Sequence, residues 1–286
     1  MVLNVRRMTS AIVAMLSLLA VGMPAAQELP RATTVSATAL DTADAVRHSV
    51  AAAVTANAGV LVVNVPLFAE TASGFDGIAA VIRAAHDRGL TVRASIATNI
   101  VTGGDEFPSA RDHVLYQHPE WLMVPRAIAP EMLVTDVRSP GYIGRLSRWT
   151  RANASRVAGI YLSPLSPAAA EYASRALEEI VRRYAFDSLD IHTAPYPDED
   201  FDYSRQAMGL FRADVRARLS AVERARMDEV EALDPFAYPD EFPDDWRLFR
   251  RARLDDLVAR LSASARTARP SILLAAGDAG PAPDAH

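Results

Sequence analysis

The sequence predicts an α/β fold built on a parallel sheet, and three observations carry that prediction. Strand-like and helix-like patterns alternate along most of the chain. The run "GVLVVNVPLF" (59–68) is continuously apolar, as expected of a strand buried on both faces of a parallel sheet. Half of the 286 residues are hydrophobic and 23% are charged, which suits a globular chain with a sizeable core. A (β/α)8 barrel typically takes about 250 residues. Only five or six core strands are legible here, so the expected fold is a TIM-type barrel incomplete at its C-terminal side, unless 99–155 hides further strands.

The elements follow in order. "ATTVSATAL" (32–40) is β-branched and strand-like, and Asp41 is placed to cap a helix through Asn57 with Ala45, Val46, Val50 and Val54 on one stripe. After the strand at 59–68 comes a helix near 76–88, stopped by Gly89. "LTVRASIAT" (90–98) is the next strand. The segment 99–155 is irregular: it holds a short helix ended by Pro119 and another helix over 140–156. "AGIYLSP" (158–164) reads as a strand. Ser166 then caps a helix with Pro167 at its first position, where the missing N–H costs nothing. Ala173, Ala176, Leu177, Ile180, Val181 and Tyr184 give that helix its apolar stripe. "SLDIH" (188–192) is a strand that runs into the loop "TAPYPDEDFDYS". Long helical patterns cover 204–232 and 245–268, and "SILLAAG" (271–277) is the last strand.

The ends read differently. Arg6 and Arg7 precede the apolar run "AIVAMLSLLAVGM" (11–23) and small residues near Ala26, the layout of a secretory signal peptide over 1–26. The run is short for a membrane span. The expected organisation is therefore a signal peptide, a barrel domain over 27–278 and a disordered tail over 279–286, with a secreted or periplasmic product and no membrane span once the signal is removed. The absence of cysteine excludes a disulfide and a lipidated cleavage-site cysteine. The net charge of −5 argues against a nucleic-acid partner. Every basic side chain other than histidine is arginine, which matches codon bias in a GC-rich genome. No G-x-S-x-G, P-loop or dinucleotide fingerprint occurs, and no cofactor is expected.

Three stretches, "HVLYQHPEWLMVPR" (113–126), "GIYLSPLSPAAAEYASRALEEIVRRYAFDSLDIH" (159–192) and "YPDEDFDYS" (196–204), together resemble the glycosyl hydrolase-like family 10 proteins. The resemblance implies an exported bacterial TIM-barrel protein acting on a polysaccharide or peptidoglycan-type glycan. It also exposes departures at strand ends. Where the family usually reads D-G-(I/V)-H-L-D-Y-x-R-Y-P, this chain reads "DSLDIHTAPYP". The family aspartate falls on His192, its tyrosine on Thr193, its arginine on Pro195, and its histidine on Asp190. On the second strand Pro66 replaces an arginine; on the third, Ser95 replaces tryptophan and Ala97 replaces asparagine. Strand C-terminal ends carry catalysis in such barrels, so a degenerate member that binds glycan without cleaving it, or an inactive fragment, is the alternative to a hydrolase.

Glycoside hydrolysis normally uses two carboxyl groups, about 5–5.5 Å apart for retention and about 6.5–9.5 Å for inversion. Asp190 and His192 share one face of a strand with Cα atoms roughly 6.5–7 Å apart. Asp190 would orient the His192 imidazole as a base, or else sit deeper, paired to an arginine such as Arg93. Of the loop acids Asp198, Glu199, Asp200 and Asp202, Asp202 completes the catalytic set Asp190, His192, Asp202; the other reading caps the helix near Ser204 with one or two of them and leaves the rest solvated. D-x-D-x-D fails as an EF-hand, since Tyr203 and Gly209 stand where Gly and Glu are needed. Asn64 and Asn99, near strand ends, are candidates for binding a hydroxylated ligand or for capping turns. Tyr196 and Tyr203 are candidates to stack on sugar rings, whereas Phe201 more simply pins the loop. His113, His118 and Glu120 match no zinc pattern, and no metal site is expected.

Overall fold

The structure is a computed structural model and describes residues 31–68, 74–103, 107–192 and 196–275. The expected signal peptide, the tail, and the strand-end replacements Thr193 and Pro195 lie outside the described residues.

Five strands form a parallel sheet: β1 (Ala32–Ser36), β2 (Val60–Asn64), β3 (Thr91–Ala97), then β6 (Ser188–His192) and β7 (Leu273–Ala275), in that spatial order. Between β3 and β6 the chain inserts β4 (Ile100–Gly103) and β5 (Gly159–Tyr161), which form a separate antiparallel ribbon. The helices that matter for position are α1 (Ala43–Thr55), α2 (Gly77–His86), α3 (Val114–Gln117), α4 (Ala129–Val134), α5 (Pro140–Ala152), α6 (Pro167–Arg183), α7 (Arg205–Arg218), α8 (Ala221–Glu231), α9 (Ala237–Glu241) and α10 (Pro243–Ala268).

Helices cover one face of the strands, and on the other only Val60, at the bottom of β2, is buried among the described residues of β2, β3 and β6. Leu61 and Val63, Val92, Ala94 and Ile96, and Leu189 and Ile191 are buried, where α1 pairs with α2 and α6 with α10. The alternate residues Val62, Arg93, Ser95, Asp190 and His192 are half-buried, and Asn64 is exposed. This corrects the expectation of double burial at 59–68: the regular strand is short, its odd and even residues see different surroundings, and the period-2 alternation decides which side is wet. Cover by helices on a single face is the layout of a TIM-type α/β barrel, and differs from the two-sided cover of a doubly wound sheet. Among the described residues the sheet does not close: β1 and β7 are its edges, and Leu273 is exposed.

The strand-like stretch 158–164 does not join the parallel sheet. β3 pairs directly with β6, from Arg93 opposite Ser188 to Ala97 opposite His192, so that neighbour position is filled. Residues Gly159–Tyr161 pair with the strand hidden in the irregular segment, β4, instead. A Cβ built at Gly159 would lie 2.1 Å from the Thr102 carbonyl oxygen, so the ribbon requires glycine there.

Local chemistry sets the helix ends. Thr42, not Asp41, caps α1 by accepting the Ala45 N–H, because the chain is already extended at Thr42. Asp76 caps α2, and Gly89, at φ +73°, lets the chain leave that helix in the left-handed region. Ser166 caps α6 as expected. The single helix expected over 204–232 is two: Ser220 and Glu223 form a reciprocal capping box that starts α8 after α7 has ended. Arg269 closes the far end of α6, donating to the carbonyls of Phe186 (3.0 Å), Tyr184 (2.6 Å) and Val181.

Candidate functional site

The open face of the sheet carries the candidate site. Register places Ser36 beside Asn64, Asn64 beside Ser95, Ser95 beside Asp190, and Asp190 beside Ala275. Neighbouring strands stand about 4.8 Å apart, and residues in register point to the same side. Four polar side chains therefore form one transverse row near the C-terminal ends of the strands. His192 lies one step further up β6, opposite Ala97, and Arg93 lies one step below, opposite Ser188.

Within this row Asp190 is the group with unmet demand. Its Oδ1 is buried and has no hydrogen-bond partner among the described residues. Arg93 makes no ion pair with it and donates its Nε to Ser188 Oγ at 3.4 Å instead, because Arg93 is in register with Ser188. Nor does Asp190 hold the His192 ring. Ser95 Oγ lies 3.4 Å from His192 Nδ1, so the serine that stands where the family has tryptophan sits beside both functional groups. A buried acceptor left unpaired costs about 1–3 kcal/mol, and a turn of the half-buried side chain toward the open face would offer it to a ligand hydroxyl.

Asp202 occupies the opposite kind of environment. It is fully buried. Oδ1 accepts the Val124 N–H (2.8 Å) and the Ser204 N–H (2.9 Å), and Oδ2 accepts the Ser204 hydroxyl (3.1 Å). Burial pushes its pKa up, against the pull of hydrogen bonds from Ser163, Val124 and Ser204. Ser204 in turn caps α7 by accepting the Ala207 N–H. The carboxylate thus ties the segment after Trp121 to the start of α7, with both oxygens occupied.

The other candidates separate in the same way. Asn64 is exposed on the open face, whereas Asn99 is fully buried in the turn between β3 and β4, its backbone carbonyl accepting the Leu162 N–H at 2.7 Å. Tyr203 is buried against Phe236 and Trp246, with the Arg126 guanidinium 5.0 Å from its ring. Tyr196 is half-buried; its hydroxyl donates to the Arg250 carbonyl at 3.4 Å, and the Arg250 guanidinium lies 5.1 Å above its ring. Burial drives the Tyr196 phenol pKa far up, so it stays protonated. Phe201 packs on Trp149 and Tyr161, pinning the loop. Asp198 pairs with Arg156.

Three histidines outside the row are structural. His113 Nδ1 accepts the Leu115 N–H, which makes Nε2 the protonated nitrogen, donating to the Phe68 carbonyl at 2.6 Å. His118 stacks on Trp121 with ring centroids 3.6 Å apart and lies 3.1 Å from Glu120, so "HPEW" forms a packed turn. His86 bonds Asp187 at 2.9 Å. Among the described residues no cluster of histidines and acids is arranged to hold a metal, and no helix is long and apolar enough to cross a membrane. Ser36 and Arg250 escaped sequence reasoning. Only strand register brings Ser36 into the polar row, and only the fold of the loop brings Arg250 against Tyr196.

With this geometry in place, the sequence matches the family glycosyl hydrolase-like 10 over residues 67–282, well over half of the chain. The chain belongs to the glycosyl hydrolase-like 10 family. Its glycoside hydrolase-like character follows at that level. No curated protein sequence matches it. Among solved structures it is similar to the α-L-fucosidase isoenzyme 2 from Paenibacillus thiaminolyticus, with TM-score 0.50 and 16% identity over 86% of this chain and 32% of that one. It is also similar to the PgaB (BpsB) glycoside hydrolase domain from Bordetella bronchiseptica (TM-score 0.45, 12% identity, 86% and 64% covered) and to the α-galactosidase from Lactobacillus brevis (0.41, 18%, 86% and 26%). The first likeness concerns the fold alone. The chain spans about a third of the length of the fucosidase and under two thirds of that of the PgaB domain.

Set against the pattern that the resemblance implies, β6 carries the two residue types at exchanged positions. The imidazole stands at the strand end, on His192, and the carboxylate one step deeper, on Asp190. Both still face the open side. Against that pattern the carboxylate stands one side-chain repeat, roughly 6.5–7 Å, nearer the bottom of the sheet.

Proposed function

We propose that this chain binds a glycan on the open polar face of its sheet, with Asn64, Ser95 and Asp190 hydrogen-bonding sugar hydroxyls beside Ser36, whose hydroxyl is bonded to Thr38. The unpartnered, buried Oδ1 of Asp190 carries the reading. A row of hydroxyl, amide and carboxylate groups with one unmet acceptor suits a polyhydroxylated ligand, and membership of a glycosyl hydrolase-like family supports the same class. The ligand is a polysaccharide or peptidoglycan-type cell-wall glycan. The basic and apolar start of the sequence supports export to the periplasm or medium.

Hydrolysis at this face is the second reading, favoured by Ser95 lying beside both Asp190 and His192. There Asp190 serves as the acid–base carboxylate with His192 next to it. The second carboxyl group that such chemistry normally needs would come from outside the row, since both Asp202 oxygens are engaged in the loop.

Calorimetry and reducing-end release with the full mature chain, on peptidoglycan fragments and neutral polysaccharides, test both. Binding weakened by Asp190→Asn without turnover supports the first reading. Turnover abolished by both Asp190→Asn and His192→Ala supports the second. Binding indifferent to Asp190→Asn and Asn64→Ala sinks the site.

A further inference from the structure

We propose that a cleft in the segment between β4 and β5 is a separate subsite for an acidic oligosaccharide, one whose sugars carry carboxylates. This rests on the glycan reading above and adds a charge class to it. The cleft encloses about 730 Å³, within the usual size of a small-ligand pocket. Four arginines line it, Arg111, Arg138, Arg148 and Arg151, together with the rings of Phe107 and Tyr116.

The four guanidiniums are not neutralised by acids. None of the four guanidiniums makes an ion pair or a hydrogen bond among the described residues. Arg145, on the same helix as Arg148 and Arg151, is paired with Glu131, and Arg156 just beyond the helix is paired with Asp198. The one acid in the lining, Glu120, lies against His118 at 3.1 Å. Arg148 and Arg151 stand three apart on α5 and so share a helix face.

Two of the guanidiniums are already positioned. Arg111 lies 5.1 Å from the Tyr116 ring centroid, and Arg151 lies 5.7 Å from that of Phe107. A guanidinium held against a ring keeps its planar N–H fork for a carboxylate, which it meets with two parallel hydrogen bonds. Four unpaired cations in one concavity of a chain with net charge −5 create a local positive field that concentrates anions. A nucleic-acid backbone calls for a basic stripe on a basic domain, and an anionic bilayer calls for a basic helix with an exposed apolar face. A half-open hollow on an acidic chain fits neither.

Calorimetry on the full mature chain, with an oligogalacturonate and its methyl-esterified counterpart, tests the proposal. Inorganic phosphate and a single-stranded oligonucleotide complete the set, each measured at low and high salt. The acid form is expected to bind more weakly as salt rises, and the ester to bind about tenfold more weakly or not at all. Arg148→Ala/Arg151→Ala should weaken acid binding by about tenfold, and the matching lysine pair by less, because charge survives while the fork is lost. All four arginines are exposed, so a melting curve should be unchanged. Equal binding of the ester, an unaffected double alanine variant, or phosphate or oligonucleotide binding as tight as the acid overturns the proposal. Acid binding that survives Asp190→Asn supports the cleft by itself. Neutral-glycan binding lost on Asp190→Asn, with no acid binding, leaves the open face standing and sinks the cleft.

Discussion

Asp190 and Asp202 are carboxylates of one strand–loop–helix unit, and they meet opposite surroundings. Asp190 faces the open side of the sheet with one oxygen buried and unpartnered. Asp202 is sealed in the interior with donors on both oxygens. One holds the structure and the other waits for a partner. A carboxylate on an active-site loop is therefore no guide to chemistry until its donors are counted, since a group whose lone pairs are spent on backbone N–H groups has little left for a ligand.

The largest test of this contrast is stability. Asp202→Ala leaves the Val124 and Ser204 N–H groups buried without acceptors and should cost about 3 kcal/mol. For a chain of this size that lowers Tm by about 6–12 °C in a calorimetric or circular-dichroism melt. Asp190→Ala removes an unpaired acceptor and should leave Tm unchanged or raised. If Asp190→Ala proves the more destabilising, the assignment of roles is reversed.

The next test is functional. Asp190→Asn should weaken glycan binding by about tenfold, the cost of one charge-assisted hydrogen bond. The double exchange Asp190→His/His192→Asp returns carboxylate and imidazole to the family's order. It should leave Tm near the parent value, and a gain of reducing-end release would show that the order of the two groups on β6 controls hydrolysis at this face. No gain would place the cause elsewhere, with Ser95 and Pro66 next in line.

A smaller test uses pH. Asp187 sits with its carboxylate between the Val92 N–H and His86; burial alone would raise its pKa, but these two partners hold it below the usual carboxylate value. A lowered folded pKa contributes stability above the unfolded value near 3.8 that is lost as pH falls through the folded one. Asp202 has the opposite sign. Its folded pKa is raised, so the native state holds the proton longer, and stability falls as pH rises from the unfolded value through the folded one. Urea melts from pH 3 upward should show Asp187→Asn flattening the acid limb, and Asp202→Asn removing an opposing slope. The least effect expected is from Ser220→Ala at the capping box of α8, about 1 kcal/mol.

Much of the fold was legible in the sequence. Ser166 with Pro167 marked the start of α6, and Gly89 marked the end of α2, because caps and left-handed turns depend on residues a few positions apart. The role of Phe201 as a pin was legible too. The division of 204–232 into α7 and α8 was missed, although Ser220 and Glu223 carry the signal at capping-box spacing. The antiparallel ribbon of β4 and β5 was missed for a different reason: an apolar run states that a strand is buried, and says nothing about its partner.

The sequence by itself determined the α/β alternation, the family and most helix starts, because these rest on short-range periodicity and on side chains that bond their own backbone. Only the tertiary structure decided which polar groups meet. Strand register gathered Ser36, Asn64, Ser95 and Asp190 from distant parts of the chain into one row. The folding of the loop placed Asp202 beneath Val124. Both outcomes depend on long-range pairing, where a side chain's free energy is set by the donors, acceptors and water that the rest of the chain brings to it.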